Sequence, residues 1–175
     1  IDGDRLLLGI GGREAALPLH DDAGEAMSVT VWRDTVAAVR PSPEADALLS
    51  AWLGRPMHLV RFPERVVRPC DPAWAEGAHT AFADGFPLLV TGEGSLDELN
   101  GALQERGADP VPMTRFRPNI VLAGLPARAE DRHRRIELPG GVRLDLVKPC
   151  DRCSITTVDQ DSGERHPSQP IAALR

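Results

Sequence analysis

The sequence predicts an α+β fold, built mainly on an antiparallel β-barrel or sheet with a few short helices. Three observations favour this class. Apolar residues recur in many short runs of the length expected for strands. Only two segments carry clear helix start and stop signals. Strands and helices do not alternate along the chain in the way that βαβ units require.

Composition limits the possible classes of protein. The chain has 175 residues, of which 42% are hydrophobic and 26% charged. These values are typical of a globular domain and exclude disorder as the main state. No apolar run approaches the ~20 residues that a membrane helix needs, and the N-terminal residues show no signal-peptide pattern. We therefore expect no membrane partner.

The charge and the cysteine content limit which partners and which cellular compartment are expected. Twenty basic and 26 acidic residues give a net charge of −6, tyrosine is absent, and aromatic residues make up 4%. An overall basic surface and base-stacking side chains are therefore missing, and we expect no nucleic acid partner. Three cysteines are too few for a disulfide scaffold. This favours the reducing environment of the cytoplasm.

The first seventy residues begin with strands and contain one clear helix. Short strands are predicted at residues 6–8, 28–32 and 36–39. The helix has Ser42 as N-cap and ends at Gly54. Its first helical residue is a proline, and its apolar face repeats at i, i+3, i+4 and i+7: Pro43, then Ala45, Leu48, Leu49 and Trp52.

A further strand is predicted at residues 58–62, followed by the candidate domain boundary. Residues 63–72 carry three prolines and no regular pattern. The second part then opens with a strand at residues 87–91 and a second helix. Ser95 and Glu98 have the spacing of a capping box, and Gly107 ends the helix. One face of this helix carries Leu96, Leu99 and Leu103.

The remaining part is predicted to be all strand. A strand at residues 119–122 precedes a hairpin whose two arms, 136–138 and 142–146, alternate apolar and polar residues around Pro139-Gly140-Gly141. Residues 154–158 are predicted to form the last strand, because isoleucine, threonine and valine favour extended backbone. A polar loop follows at residues 159–170.

The segment Lys148-Pro149-Cys150-Asp151-Arg152-Cys153 carries the most chemistry. A Cys-x-x-Cys pair fits a thioredoxin-type redox site, which should open a helix within a βαβ unit, or half of a zinc site, which needs two more ligands. Two buried structural thiols are a third interpretation, against which the charged neighbours Asp151 and Arg152 argue. A strand is predicted after the motif and the five histidines are scattered, which disfavours the first two readings.

Four blocks of sequence, in order, resemble the MOSC family, the C-terminal domain of molybdenum cofactor sulfurases, and most closely its amidoxime-reducing group. They are residues 82–90, 95–100, 115–121 and 148–159. The resemblance implies that residues 1–66 are the C-terminal part of a MOSC N-terminal-like domain. Residues 78–175 would be a MOSC domain that is incomplete at its C-terminus. The chain is therefore expected to be truncated at both ends.

The resemblance implies a molybdenum cofactor (molybdopterin) held by a β-barrel, with Cys153 as the catalytic thiolate on the metal. A soft thiolate suits a metal that the cofactor already binds through sulfur. Arg117 and Asn119 would bind the cofactor, Arg152 would contact the pterin or balance the charge of the metal centre, and the turn Asp84-Gly85-Phe86 would present backbone groups.

The function implied by the resemblance is the reduction of N-hydroxylated small molecules. Electrons would come from an external donor protein, a flavin or iron–sulfur reductase, because the sequence shows no second cluster motif. An alternative is a non-catalytic module that binds or carries cofactor or sulfur through Cys153. A third is a cofactor-free structural domain in which Cys150 and Cys153 are simple thiols.

Overall fold

A computed structural model describes residues 1–20 and 22–174 as a mixed α/β protein with three α-helices and ten short strands. The mixed class predicted from the sequence is confirmed. The chain divides into two compact units. The first comprises Ile1–Cys70 and Gly77–Gly85, and the second comprises Asp71–Glu76 and the chain from Phe86 onwards.

The first unit contains two antiparallel hairpins and one helix. The elements in chain order are β1 (Arg5–Ile10), β2 (Arg13–Pro18), β3 (Glu25–Val31), β4 (Asp34–Arg40), α1 (Pro43–Leu53), β5 (Arg68–Pro69) and β6 (His79–Thr80). In the first hairpin Leu7 pairs with Ala16, and in the second Val29 pairs with Val36. Strand β2 was not predicted, because its alanines and charged residues carry little strand preference.

Helix α1 confirms the predicted start and stop signals. The Ser42 hydroxyl accepts a hydrogen bond from the Ala45 backbone nitrogen at 3.1 Å, and Gly54 ends the helix in the left-handed conformation at φ 65°. The predicted apolar face is only partly buried, since Trp52 is 64% exposed. The core beside this helix consists of Ala15, Leu17, Ala45 and Leu48, with Leu8, Ile10 and Leu59 packed against it.

The strand predicted at residues 58–62 is reduced to one bridge. Arg61 and Val39 exchange two backbone hydrogen bonds of 3.0 and 2.8 Å. Two residues earlier, the Leu59 backbone nitrogen donates to a side chain of α1, the Asp46 carboxylate, at 2.7 Å. This bond diverts the backbone from a continuous ladder. The strand prediction was therefore wrong except at Arg61.

The second unit contains a βαβ unit that was not predicted. Its elements are β7 (Val90–Gly92), α2 (Glu93–Glu105), β8 (Ile120–Leu122), α3 (Ala129–Arg132), β9 (Arg135–Leu138) and β10 (Val142–Asp145). Strands β7 and β8 are parallel, with Thr91 opposite Val121, so the connection through α2 is a crossover. The predicted absence of βα alternation was wrong here: a strand was predicted on each side of the helix, but their parallel pairing was not.

Two predicted features of the second unit are confirmed. Strands β9 and β10 form the expected hairpin, with Val142 opposite Leu138 across the turn that contains Gly140 and Gly141. The leucine face of α2 packs in a core of Leu99, Leu103 and Val111, surrounded by Leu96, Ala108, Phe116 and Ala173.

The capping box predicted for α2 is wrong. The N-cap residue is Gly92, whose backbone nitrogen donates to the Glu130 carboxylate at 3.0 Å. The Ser95 hydroxyl instead accepts from the Arg128 backbone nitrogen, and the Glu98 carboxylate receives two bonds from the Arg128 guanidinium at 2.9 and 3.0 Å. A loop thirty residues away therefore takes the groups that a local capping box would use.

The strands within residues 1–20 and 22–174 pair as five two-stranded ladders, four antiparallel and one parallel, and a closed barrel is not formed by these ladders. Among the same residues, no helix combines the length and the apolar character needed to cross a bilayer.

Two glycines of α2 are expected to respond in opposite ways to alanine. A Cβ at Gly94 would lie 2.5 Å from the Leu125 carbonyl oxygen and 2.9 Å from the Ala127 backbone nitrogen, which cannot move independently. We expect Gly94→Ala to lower the free energy of unfolding by about 1–3 kcal/mol. Gly101 has nothing within 4 Å of its Cβ position. Gly101→Ala should therefore raise stability by about 0.5–1 kcal/mol. Denaturant unfolding measures both, and effects of equal sign would contradict the packing of α2.

Candidate functional site

The segment between β10 and a short 3₁₀ turn carries two free cysteines. Residues 146–153 have no regular secondary structure. The thiols of Cys150 and Cys153 are both unpaired and exposed, in contrast to the buried Cys70. The Lys148 ammonium donates to the Asp151 carboxylate at 2.9 Å. It also lies 6.0 Å from the ring centre of Trp74. These contacts hold the start of the segment and leave both thiols accessible.

The residues after Cys153 form a 3₁₀ turn, Ser154–Thr157, and not the predicted strand. The Thr156 hydroxyl donates to the Cys153 carbonyl at 3.1 Å, and the Thr157 hydroxyl donates to the Ser154 carbonyl at 2.7 Å. Such bonds from threonine to the carbonyl three residues back compete with extended backbone. Both threonines are buried. The two buried threonines thus hold the turn in place, and Cys153 lies exposed at its N-terminal end.

Two contacts join residues 148–159 to a second 3₁₀ turn, Met113–Phe116. The Arg152 guanidinium carbon lies 5.8 Å from the ring centre of Phe116, within the range of a cation–π contact. The Arg115 guanidinium donates to the Asp159 carboxylate at 2.9 Å. The sequence blocks 115–121 and 148–159, which the resemblance treats as one site, therefore lie side by side.

Arg117 and Asn119 follow this turn. Arg117 adopts the left-handed conformation, φ 52°, and is exposed. Within residues 1–20 and 22–174 its guanidinium has no hydrogen-bond or ion-pair partner. The Asn119 side-chain oxygen accepts from the Leu89 backbone nitrogen at 2.8 Å, and its backbone nitrogen donates to the Leu89 carbonyl. Asn119 therefore ties the two parallel strands together, and only its NH₂ group is left to contact a ligand.

The acidic groups of the site are already engaged. Hydrogen bonding to Lys148 holds the pKa of Asp151 below its ordinary value, and the same contact raises the pKa of Lys148. The backbone N–H and the hydroxyl of Ser162 hold the pKa of Asp159 below its usual range, with a smaller contribution from Arg115. Both carboxylates therefore stay ionised and paired near neutral pH.

Two arginines of the site, by contrast, are open. Arg117 and Arg152 have no carboxylate partner among the described residues, and the Arg115 Nε atom is buried without a hydrogen-bond partner there. Open guanidinium donors next to an exposed thiol suit a ligand that is anionic and rich in acceptors. The donor set therefore fits a molybdenum cofactor, with its phosphate, its pterin and a metal that accepts a thiolate.

The turn Asp84-Gly85-Phe86 lies at the division between the units, with Asp84 and Gly85 in the first and Phe86 in the second. The Asp84 carboxylate accepts from the Trp32 indole nitrogen at 2.9 Å. The Gly85 Cβ position is open, with nothing within 4 Å. Phe86 is half-buried.

A buried arginine organises the loop before this turn. The Arg68 guanidinium donates to three carbonyl oxygens, those of Ala81, Ala83 and Asp84, at 2.5–3.0 Å. It also pairs with the Asp34 carboxylate at 2.7 Å. These carbonyls are therefore turned toward Arg68.

Sequence reasoning missed Arg68 and the Arg115–Asp159 pair. Arg68 falls in the stretch predicted to be a boundary, and nothing in its neighbourhood marks it as buried. Arg115 and Asp159 both lie in the blocks that carry the resemblance, but they are 44 residues apart. No local spacing rule links residues at that separation.

The other readings of Cys-x-x-Cys find little support in the geometry. A thioredoxin-type pair should open an α-helix, whereas a four-residue 3₁₀ turn follows Cys153. A zinc site needs further ligands. In the part of the chain that the structure describes, no three His, Cys, Asp or Glu side chains are grouped to hold a metal ion. Burial of both thiols in a core is excluded by their exposure.

Comparisons with known proteins agree with the resemblance. The MOSC domain family matches residues 77–175. Mitochondrial amidoxime-reducing component 1 of Homo sapiens is 32% identical over 99% of the chain and 52% of its own length. The protein of the same name from Mus musculus is 42% identical over 54% of the chain and 26% of its own length. The molybdenum cofactor sulfurase of Oryza sativa subsp. japonica is 30% identical over 70% of the chain and 16% of its own length. The chain thus spans about half, or less, of each relative.

Proposed function

The chain belongs to the MOSC domain family, and from this premise we propose that it is a molybdenum-cofactor oxidoreductase that reduces N-hydroxylated compounds. Its relatives support a molybdenum-cofactor-related function. The observation that carries the proposal is the exposed Cys153 thiol, on a segment that Arg152 joins to Phe116, the residue before Arg117.

Each residue of the site has a role in this proposal. Cys153 provides the thiolate for the metal. Arg117 offers a planar, two-pronged donor for the phosphate group. Asn119 contributes its NH₂ group to an acceptor on the pterin, because its oxygen is held by Leu89. Arg152 balances negative charge beside the thiolate. The Asp84 carbonyl is already held by Arg68, so the Asp84-Gly85-Phe86 turn is left out of this proposal.

The reaction takes two electrons and two protons, breaks the N–O bond and releases water. When bound, the cofactor supplies the two-electron redox chemistry. The chain positions the cofactor and provides charge. The electrons come from a separate donor protein, a flavin or iron–sulfur reductase.

The proposal extends to the fold and the compartment. Residues 1–66 are proposed to be the end of a MOSC N-terminal-like domain, and residues 78–175 to be the MOSC domain with the β-barrel of its family. A cytoplasmic location follows from cysteine usage alone and remains a proposal. Among the relatives, the amidoxime-reducing components are named as mitochondrial.

A second candidate is a carrier that holds cofactor or sulfur on Cys153 without turnover. The similarity to a molybdenum cofactor sulfurase favours it. Two measurements on the full-length protein separate the candidates. Molybdenum content by mass spectrometry tests for the cofactor, and turnover of an amidoxime with a chemically reduced dye tests for catalysis. Metal with turnover supports the oxidoreductase, and metal without turnover supports the carrier. Absence of metal contradicts both the oxidoreductase and the cofactor carrier.

Arg117 is expected to be an anchor of the cofactor. Arg117→Ala should weaken cofactor retention by about 1.5–3 kcal/mol, the range for a hydrogen bond to a charged group. Arg117→Lys should restore it only in part, because an ammonium cannot make the planar contact. Cofactor release during dialysis measures the effect. Arg143→Ala, at an arginine that is exposed on β10, is the matched control. Normal retention in Arg117→Ala would remove Arg117 from the site.

A further inference from the structure

A cleft of about 520 Å³ opens in the second unit, directly after Cys153. This volume lies in the range of small-molecule sites. The cleft is lined on one side by the 3₁₀ turn Ser154–Thr157 and on the other by residues 165–172. None of the proposed cofactor-binding residues lines it. The cleft is therefore distinct from the site proposed for the cofactor.

Arg165 is held in place at one end of its guanidinium and open at the other. Its Nε atom donates to the Thr157 hydroxyl at 3.2 Å, and Thr157 is buried. Backbone pairing supports this position, since the His166 backbone nitrogen donates to the Thr157 carbonyl at 2.9 Å. The two terminal nitrogens of Arg165 have no partner within residues 1–20 and 22–174. They are therefore available as donors at a defined place in the cleft wall.

The His166 ring is oriented by its own loop. Its Nδ1 atom accepts from the backbone nitrogens of Ser168 and Gln169 at 3.2 and 2.8 Å. In the neutral ring the proton must then be on Nε2, which becomes a donor. In the described part of the chain, the Ser154 and Ser168 hydroxyls have no hydrogen-bond partner. The polar lining thus offers three kinds of free donor.

The cleft wall has no negative charge. None of its lining residues is aspartate or glutamate. The nearby carboxylate of Asp159 accepts from Ser162 and Arg115, outside the lining. The remaining wall includes the apolar residues Ile171 and Ala172. A fixed guanidinium, an imidazole N–H and free hydroxyls beside an apolar surface are the complement of an oxyanion attached to an organic group.

We propose that this cleft binds a small-molecule oxyanion, a phosphate or a carboxylate, through Arg165, His166 and the two serine hydroxyls. Arg165 supplies the charge, and the serines and His166 supply directed hydrogen bonds. The apolar wall accommodates the organic part of the ligand. The site needs neither Cys153 nor a metal, so it does not depend on the proposed function.

Binding of two probes to the full-length protein tests this site. Inorganic phosphate and benzoate are titrated separately by calorimetry, at constant ionic strength with chloride as the balancing anion. We expect saturable binding at millimolar concentration. Arg165→Gln should weaken it at least tenfold, and Ser168→Ala, which removes only a free hydroxyl, two- to fivefold. Arg143→Gln, an exposed arginine outside the cleft, is the control and should bind as the wild type does.

The probes and a further variant give distinct outcomes. Tighter phosphate binding identifies a phosphate ligand, and tighter benzoate binding identifies a carboxylate ligand that uses the apolar wall. Cys153→Ala should bind both probes normally, so that failure of the metal site leaves this result intact. The proposal would be overturned if neither probe saturated the protein up to about 20 mM. Equal weakening of binding in Arg165→Gln and Arg143→Gln would also overturn it. Unchanged binding in both Arg165→Gln and Ser168→Ala would do the same.

Discussion

Full-length protein carrying Cys153→Ala is expected to retain no molybdenum and to show no reductase turnover. In the proposed site the thiolate of Cys153 binds the metal, and alanine has no group to replace it. The substitution removes an exposed side chain. The bonds that fix the turn use the Cys153 and Ser154 carbonyls and remain. Loss of metal at unchanged stability is therefore the expected signature, measured by mass spectrometry and denaturant unfolding.

Cys150→Ala provides the matched control for this experiment. Cys150 is also an exposed free thiol, three residues away in the same irregular segment. Its Sγ atom donates to the Asp151 carbonyl, at 3.5 Å. We expect this variant to keep most of its molybdenum. Equal loss of metal in both variants would point to a dithiol or zinc site and would contradict the assignment of Cys153 alone.

Features that depend on neighbouring residues could be predicted from the sequence. The start and end of α1 rest on Ser42 and Gly54, whose effects act within one turn. The β9–β10 hairpin rests on alternation and on a glycine turn. In these segments the local signal and the packing agree. The structure therefore follows the sequence pattern.

Features that depend on distant partners could not be predicted. Ser95 and Glu98 have the spacing of a capping box, but Arg128 binds both of them. Residues 154–158 have strong strand preference, but two threonine hydroxyls bond to local carbonyls and close a 3₁₀ turn. In each case an interaction worth about 1 kcal/mol outweighs a preference of similar or smaller size.

The candidate site shows the same division. The resemblance indicated Arg117, Asn119, Arg152 and Cys153 by type and order. It did not indicate that the Asn119 side-chain oxygen accepts a hydrogen bond from Leu89. Nor did it indicate that Arg152 contacts residues 115–121 through the Phe116 ring. Such contacts join residues thirty or more positions apart, and only the folded chain defines them.

The largest stability effect in the first unit is expected at Asp46. Its carboxylate is buried in α1, with 6% of its side chain exposed, and accepts from the Arg40 guanidinium, the His58 ring and the Leu59 backbone nitrogen. Asp46→Ala leaves these three donors without their acceptor. We expect the free energy of unfolding to fall by about 3 kcal/mol, as for loss of one partner of a buried pair. Asp4→Ala, at an exposed carboxylate of the same unit, should change it by less than about 0.5 kcal/mol.

The effect at Asp46 should depend on pH in a defined direction. Burial alone would raise the pKa of this carboxyl group, but the bonds from His58, Leu59 and Arg40 outweigh it, and its pKa is lowered. The folded state therefore binds the Asp46 proton less readily than the unfolded state does. The stability that Asp46 contributes is fully present above the unfolded pKa of about 4, and is lost as the pH falls through the lower, folded value. The difference between wild type and Asp46→Ala, measured by denaturant unfolding from pH 7 to pH 3, should thus be constant above about pH 5 and shrink below pH 4. A difference that stays constant down to pH 3, or that grows, would show that Asp46 acts through packing and not through its charge.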